Sequence, residues 1–388
     1  MTIEKINLKN ITVFEKLDIT FSQGINILIG ENGTGKTHIM KILYAISQDS
    51  KRLSDIFKNS YKRIITDGKL LDVEPAIESF IEKDREVTSA LSEGSFIIEY
   101  FSSNNTKFSN LVRNKETTNL KNKFGDIEEM TLVDNQITLE YTNETFKIGF
   151  VSDDLLSIAH KQSITDEKKN NFIYIPAKDI ISHSKGFAST YNFREIAFDK
   201  TYYDIILNAQ KGNLKKTDPE MHECLKILEK IIGGKVELDG DQFYVKKKGG
   251  LTIEFNYEAE GFKKLGLLYR LISNGSISKG SVLFWDEPES NINPIMAPIV
   301  VDVLLKLRKA GVQIFIATHD YNYAKYFDIK SAPGDKLKFY SFFKDDNNAV
   351  NYVESSDYSN LENNPLEEAD TILYNDVIDK ALEDNTNE

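Results

Sequence analysis

The sequence predicts an α/β fold built around a buried, parallel-type sheet with helices on its faces. Three observations carry that expectation. Short, largely apolar runs recur at residues 25–29, 172–175, 282–285 and 313–317, as strands covered on both faces require. Stretches with apolar residues at helical spacing lie between them. The first run leads straight into Gly30-Glu31-Asn32-Gly33-Thr34-Gly35-Lys36-Thr37, a G-x-x-x-x-G-K-[ST] P-loop whose context is a strand before it and a helix after it.

Taken in order, residues 3–8 and 17–21 alternate apolar with polar side chains, as half-buried strands do. Gly24 punctuates before the buried strand 25–29, and Ile39, Ile42, Leu43 and Ile46 place an apolar stripe on a helix over 36–47. Residues 48–170 read as an inserted α+β region, with helices over 53–63 and 75–83 and strands over 96–101, 136–141 and 145–150. Its polar, basic stretch over 104–123 reads as an exposed loop or a nucleic-acid contact. Strand 172–175 re-enters the core. Helices are expected over 193–210 and 219–232, short strands over 235–238, 243–247 and 251–256, a helix over 263–272, and buried strands at 282–285 and 313–317. The division is therefore 1–47 and 171–350 as two parts of one core, with a helical segment at about 193–232, the insertion at 48–170, and an acidic tail at 351–388.

Composition narrows the function classes. The 388 residues are 40% hydrophobic and 28% charged, an ordinary globular balance. A single cysteine, Cys224, excludes a disulfide framework and a multi-cysteine zinc site. The apolar runs are too short to span a membrane, and the N-terminus has no signal-peptide core, so a cytoplasmic protein is expected. The net charge of −12 is concentrated: residues 354–388 sum to −10 and the remainder to −2. A near-neutral body can still carry a basic face, so DNA remains a possible partner. In the tail, Leu366, Ala369, Ile372, Leu373, Val377, Ile378 and Leu382 fall at helical spacing. That pattern suits a helix packed on the body, a docking segment or a solvated tail.

The chemistry lies in three places. In the P-loop, Gly30, Gly33 and Gly35 let the backbone N–H groups of Asn32, Thr34 and their neighbours turn inward on phosphate oxygens, at a helix N-terminus that favours anions. Lys36 would neutralise the phosphates and the Thr37 hydroxyl would ligate Mg²⁺. The apolar strand 282–285 ends in Asp286-Glu287, which delivers a carboxylate for Mg²⁺ and a second, Glu287, to activate water at the sheet edge. His319 follows the next buried strand, within Thr318-His319-Asp320, where it could meet a terminal phosphate. Trp285 is expected in the core, and Lys246-Lys247-Lys248 reads as a solvated edge or a nucleic-acid or partner contact.

Together these motifs resemble an ABC-type ATPase of the SMC/RecF/OLD class, a stand-alone AAA-family ATPase of the AAA15/AAA21 kind. The opening Leu8-Lys9-Asn10-Ile11, running on to Gly24-Ile25-Asn26, is similar too. So is the spacing: Gly261 lies 25 residues before Asp286 and His319 lies 33 after it. The resemblance covers roughly 1–46 and 172–345. It implies a head-like mixed sheet flanked by helices, with Mg-ATP held between two chains. Residues 257–264, with Gly261 and Lys263, take the place of the signature sequence that touches the γ-phosphate of a second subunit. Glu260 stands there instead of the usual serine, so Lys263 or Lys264 would have to offset its charge. Ser290-Asn291-Ile292-Asn293 takes the D-loop position, with Asn293 counted among the nucleotide contacts. Residues 176–179 take the glutamine-loop region, and Phe14 is either core or an adenine-stacking ring.

The layout separates the variants of the class. From Lys36 to Gly261 is 225 residues, with prolines and no sustained heptads, so no long coiled-coil arm is expected. After His319 only 69 residues remain, which leaves no room for a fused nuclease. The resemblance then favours an ATPase that dimerises, or forms a higher homo-oligomer, around Mg-ATP. Its role would be a sensor or regulatory subunit of a bacterial anti-phage defence system with a separately encoded effector. The alternatives are a RecF-like DNA-maintenance ATPase and a nucleotide-gated scaffold with negligible turnover.

Overall fold

The computed structural model describes residues 2–48, 171–193 and 198–382, and the backbone of 135–141, 144–151, 154–162 and 383–386. The expected helices at 53–63 and 75–83, the strand at 96–101 and the basic stretch at 104–123 lie outside the described residues. The chain forms two compact units, one of residues 1–21, 38–172 and 190–203, the other of residues 22–37, 173–189 and 204–388.

The first unit holds a five-stranded antiparallel sheet. Its strands are β1 (Ile3–Ile11), β2 (Phe14–Thr20), β4 (Asn135–Tyr141), β5 (Glu144–Val151) and β6 (Asp154–Gln162), in the order β2-β1-β4-β5-β6. The pairing of Ile6 with Ile19 and Leu8 with Leu17 puts the buried residues of β1 and β2 on one face. A register shift between Ile3 and Lys5 against β4 lets both Ile3 and Ile6 point inward despite their odd spacing. Phe14 is fully buried here and offers no face for adenine. β6 was not legible in the sequence.

The second unit carries a six-stranded mixed sheet in the order β14-β13-β3-β12-β11-β7. Its strands are β3 (Ile25–Gly30), β7 (Phe172–Ile175, whose first residue falls in the other unit), β11 (Val282–Asp286), β12 (Gln313–Ala317), β13 (Leu337–Lys344) and β14 (Val350–Ser355). β3, β11, β12 and β13 run parallel; β14 is antiparallel to β13. Every residue of β3, β11 and β12 is buried, Trp285 included. The registers Asp286 to Ala317 and Ala317 to Leu28 bring the ends of these three strands to one edge. A smaller sheet joins β8 (Gly234–Asp239), β9 (Gln242–Lys247) and β10 (Thr252–Glu254).

A helix over 36–48, α1, opens from the P-loop, and Ile39, Ile42, Leu43 and Ile46 are buried on it. The single helix expected over 193–210 is two helices, α2 (Phe187–Phe193) and α3 (Lys200–Gln210). The reason lies at Asp199, whose carboxylate accepts the Thr201 N–H at 2.9 Å and so starts a new helix. α4 (Pro219–Ile232) has every end signal in its sequence: Asp218 caps the Glu220 N–H at 3.0 Å, Pro219 follows, and Gly233 closes it in the left-handed conformation. α5 (Glu260–Ser273) begins three residues before the expected Lys263. The strand expected over 251–256 ends at Glu254, because Phe255 turns in to pack on Gly266. α6 (Ala297–Lys309) and α7 (Tyr321–Lys330) cover the sheet.

The expected tail at 351–388 starts too early. Residues up to 355 belong to β14, and Tyr358 and Leu361 are buried; only α8 (Pro365–Thr386) extends beyond. Among the described residues, no helix is long and apolar enough to cross a membrane.

Candidate functional site

The sheet edge gathers the P-loop after β3, Asp286-Glu287 after β11 and Thr318-His319 after β12. Gly30, Gly33 and Gly35 all have positive φ, at 141°, 76° and 87°, which only glycine adopts freely. A side chain at Gly30 would also stand 2.2 Å from the Phe342 carbonyl oxygen on β13. Glu31, Asn32 and Gly33 lie exposed at the crest of the loop, while Thr34 is buried with its hydroxyl on the Glu31 carbonyl at 2.8 Å.

Lys36 is buried, and its ammonium donates to the loop's own Gly30 and Glu31 carbonyls at 2.8 and 2.7 Å. Burial pulls its pKa down to about 8, opposed by Asp286, Glu287, Glu31 and Glu289. Thr37 donates its hydroxyl to both Asp286 oxygens at 3.2 and 3.1 Å. A hydroxyl and a carboxylate on two different elements meeting at this distance form the hard-oxygen pair that Mg²⁺ takes. Tyr174 on β7 donates to the same carboxylate at 3.2 Å. Only its place in a buried strand hinted at that contact.

Glu287 is held in the left-handed region, with φ of 45°, a conformation that costs on the order of 1–3 kcal/mol and clusters at functional sites. Its N–H bonds the Ala317 carbonyl at 2.9 Å, and its carbonyl accepts the buried Lys264 ammonium at 2.8 Å. Lys264 also donates to the Ser290 hydroxyl at 2.5 Å, and that hydroxyl reaches the Ala177 carbonyl at 3.2 Å. Lys264 therefore fastens the turn at 287–290 to helix α5. Lys263 pairs with Glu260 at 2.6 Å, which neutralises the acid that replaces serine. Gly261 has no room for a side chain, since a Cβ would meet the Asn291 carbonyl oxygen at 2.9 Å. Asn293 caps its own turn, accepting the Ile295 N–H at 3.1 Å.

His319 is exposed beside the site. Partial burial and the Lys36 cation lower its pKa, opposed by Glu287. Its backbone N–H donates to the Glu289 carboxylate at 2.9 Å. Burial pushes the Glu289 carboxyl up, opposed by the His319 backbone N–H and the Thr318 hydroxyl; among the described residues the buried Tyr323 hydroxyl has no hydrogen-bond partner. Glu289 thus ties the turn after β11 to the histidine turn, a role its place three residues after Asp286 did not announce. In residues 176–179, Asp179 caps the turn that follows. Lys247, expected in a solvated edge, is instead paired with Glu258 at 2.6 Å and bonded to the Ile232 carbonyl at 2.8 Å.

Comparison with known proteins settles the family. The profile described as "AAA domain, putative AbiEii toxin, Type IV TA system" matches residues 25–323, from the start of β3 past the histidine turn. The chain belongs to this family. This AAA chain also has the fold of a solved SMC head bound to the C-winged helix domain of ScpA, with TM-score 0.51 and 13% identity over 92% of this chain and 99% of that one. A second head domain, from Thermotoga maritima, aligns with TM-score 0.46 and 11% identity over 92% of this chain and 99% of that one. DNA replication and repair protein RecF from Bacillus thuringiensis (strain Al Hakam) and from Bacillus cereus (strain B4264) are each 43% identical over 47 residues, 12% of this chain and 12% of theirs. The chain therefore covers about an eighth of the length of those relatives. By family it is an AAA-domain chain, and its fold is that of an SMC head.

Proposed function

We propose that this chain binds and hydrolyses ATP at the shared sheet edge, and that a second copy completes the site. One observation carries this: Thr37 and Asp286 meet at 3.1–3.2 Å with Glu287 next along. Mg²⁺, when bound by Thr37 and Asp286, would draw charge from the phosphates. Lys36 exchanges its loop carbonyls for phosphate oxygens. Glu287 accepts a proton from water as the water oxygen bonds to the γ-phosphorus, and the bond to the bridging oxygen breaks to release ADP. His319 orients the leaving phosphate. Gly261, Lys263 and Asn293 of the second copy close over the γ-phosphate, with Glu260 already neutralised by Lys263.

The role we infer is that of a cytoplasmic sensor or regulatory subunit in a bacterial anti-phage defence system with a separate effector. The family's description as a putative toxin of a type IV TA system supports it, as does the compact layout. Co-purification with the product of an adjacent gene tests that role. The chemistry is tested with Glu287→Gln. The wild type should release phosphate with Mg-ATP, and the variant should be slower by about 10²–10⁴-fold, as for a lost general base. At sub-micromolar protein, below the range in which nucleotide-free association is expected, light scattering should show the variant passing from monomer to dimer only with Mg-ATP. A wild type without turnover, or a variant whose mass ignores ATP, would sink the shared-site mechanism.

A further inference from the structure

We propose that helix α8 of one copy seats in a lysine-rimmed apolar groove on the body of a second copy, independently of nucleotide. The first turn of α8 is anchored. Buried Asn364 accepts the Leu366 N–H at 3.2 Å and the Tyr358 hydroxyl at 3.5 Å. Beyond that turn the apolar side chains stand in solvent: Leu373 is 62% exposed, Tyr374 66%, Val377 60% and Ile378 38%. Leu373 with Val377 and Tyr374 with Ile378 are one-turn pairs in adjacent rows, so the four form one face. At 3.6 residues per turn, Asp370 falls on the same face at the strip's N-terminal end, whereas Asp376 and Asp379 fall on the other side beside Ile372. A contiguous apolar strip of this kind marks an interaction surface.

Charge selects the occupant. Residues 365–386 hold seven carboxylates and one lysine, so two such helices repel, as like charges brought together do. The complementary surface is a groove of about 360 Å³ between α4, α6 and α7. Ile227, Ile299 and Leu305 give it an apolar lining, and Lys306, Lys309 and Lys330 rim it. Lys330 is paired with Asp302 at 3.0 Å; among the described residues Lys306 and Lys309 have no ion-pair partner. A helix laid by a short apolar strip in an apolar groove is a recurrent mode of recognition, and here the signs of charge also match. In its own chain α8 runs unbroken from Pro365 to Thr386 with its strip exposed. With the strip exposed in its own chain, a second copy is the occupant we infer.

The test is light scattering on the full chain without nucleotide, from micromolar to several hundred micromolar. The wild type should exceed its monomer mass of 44.2 kDa as concentration rises, and less so at high salt. Leu373→Asp with Val377→Asp, and separately Lys306→Glu with Lys309→Glu, should each weaken association about tenfold or more. Adding Asp370→Lys, on the strip's own face, to the groove pair should restore part of it. Circular dichroism confirms that these exposed positions leave the fold intact. A bis-maleimide should link Val377→Cys to Ile299→Cys across two chains, since Cys224 is buried. A wild type that stays monomeric, association indifferent to both pairs, or a cross-link that runs at monomer mass would each overturn the proposal.

Discussion

Replacing Lys264 with Met asks whether helix α5 positions Glu287, the proposed general base, within its own chain. The lysine is buried and donates to the Glu287 carbonyl at 2.8 Å and the Ser290 hydroxyl at 2.5 Å. Met keeps most of the apolar stem and removes only the cation. Hydrogen bonds from a charged donor contribute about 1.5–3 kcal/mol each. Removing the ammonium also removes its desolvation penalty, several kcal/mol for a buried ion. The two nearly offset, and a net loss of about 1–3 kcal/mol is expected, the usual range for a broken buried network. The kinetic effect should be clearer. Glu287 is held at positive φ by its contacts to Lys264 and Ala317. With one contact gone its backbone relaxes, and kcat should fall by roughly 10–100-fold, part of what a positioned base contributes. The KM for ATP should hold, because the P-loop contacts are untouched. Steady-state phosphate release and urea denaturation measure both. If kcat is unchanged, the clamp has no catalytic role. If KM rises while kcat holds, Lys264 acts on the nucleotide, as the family resemblance allowed.

Three further expectations follow from single contacts. Gly30→Ala should destabilise the fold by about 2–5 kcal/mol in urea melts, from forbidden φ plus overpacking against Phe342; an unchanged midpoint would contradict the close approach of β3 to β13. Glu289→Ala should lower kcat by about tenfold at constant KM, the worth of one hydrogen bond at His319; equal activity would remove its positioning role. The Cys224 thiol is pushed by burial from its ordinary value of 9.0 up to about 11. It should resist thiol reagents at pH 9 until the protein unfolds. Because its folded pKa is raised, its contribution to stability is full below pH 9 and lost as pH climbs through 11.

Much of the fold was legible because backbone demands leave local marks. Asp218, Pro219 and Gly233 spell out both ends of α4, and the buried strands show as unbroken apolar runs. What failed locally failed for tertiary reasons. Phe255 leaves the strand because Gly266 makes room for it on another element. β14 looks like the start of a tail because an edge strand, half exposed, carries little apolar signal. The break at Asp199 was present in the sequence as a capping residue, but it stood within a continuous helical pattern.

The site divides in the same way. Sequence by itself determined the P-loop, the paired acids and the histidine, because each sits within a few residues of a strand end and its chemistry depends on local spacing. Only the tertiary structure decided that Tyr174 touches Asp286, that Lys264 and Glu289 brace the loops around Glu287 and His319, and that Gly261 is needed by the Asn291 backbone. Those contacts join residues brought together by the parallel register of β3, β12 and β11 and by the packing around it. Sequence spacing carries no record of such distances until the sheet assembles.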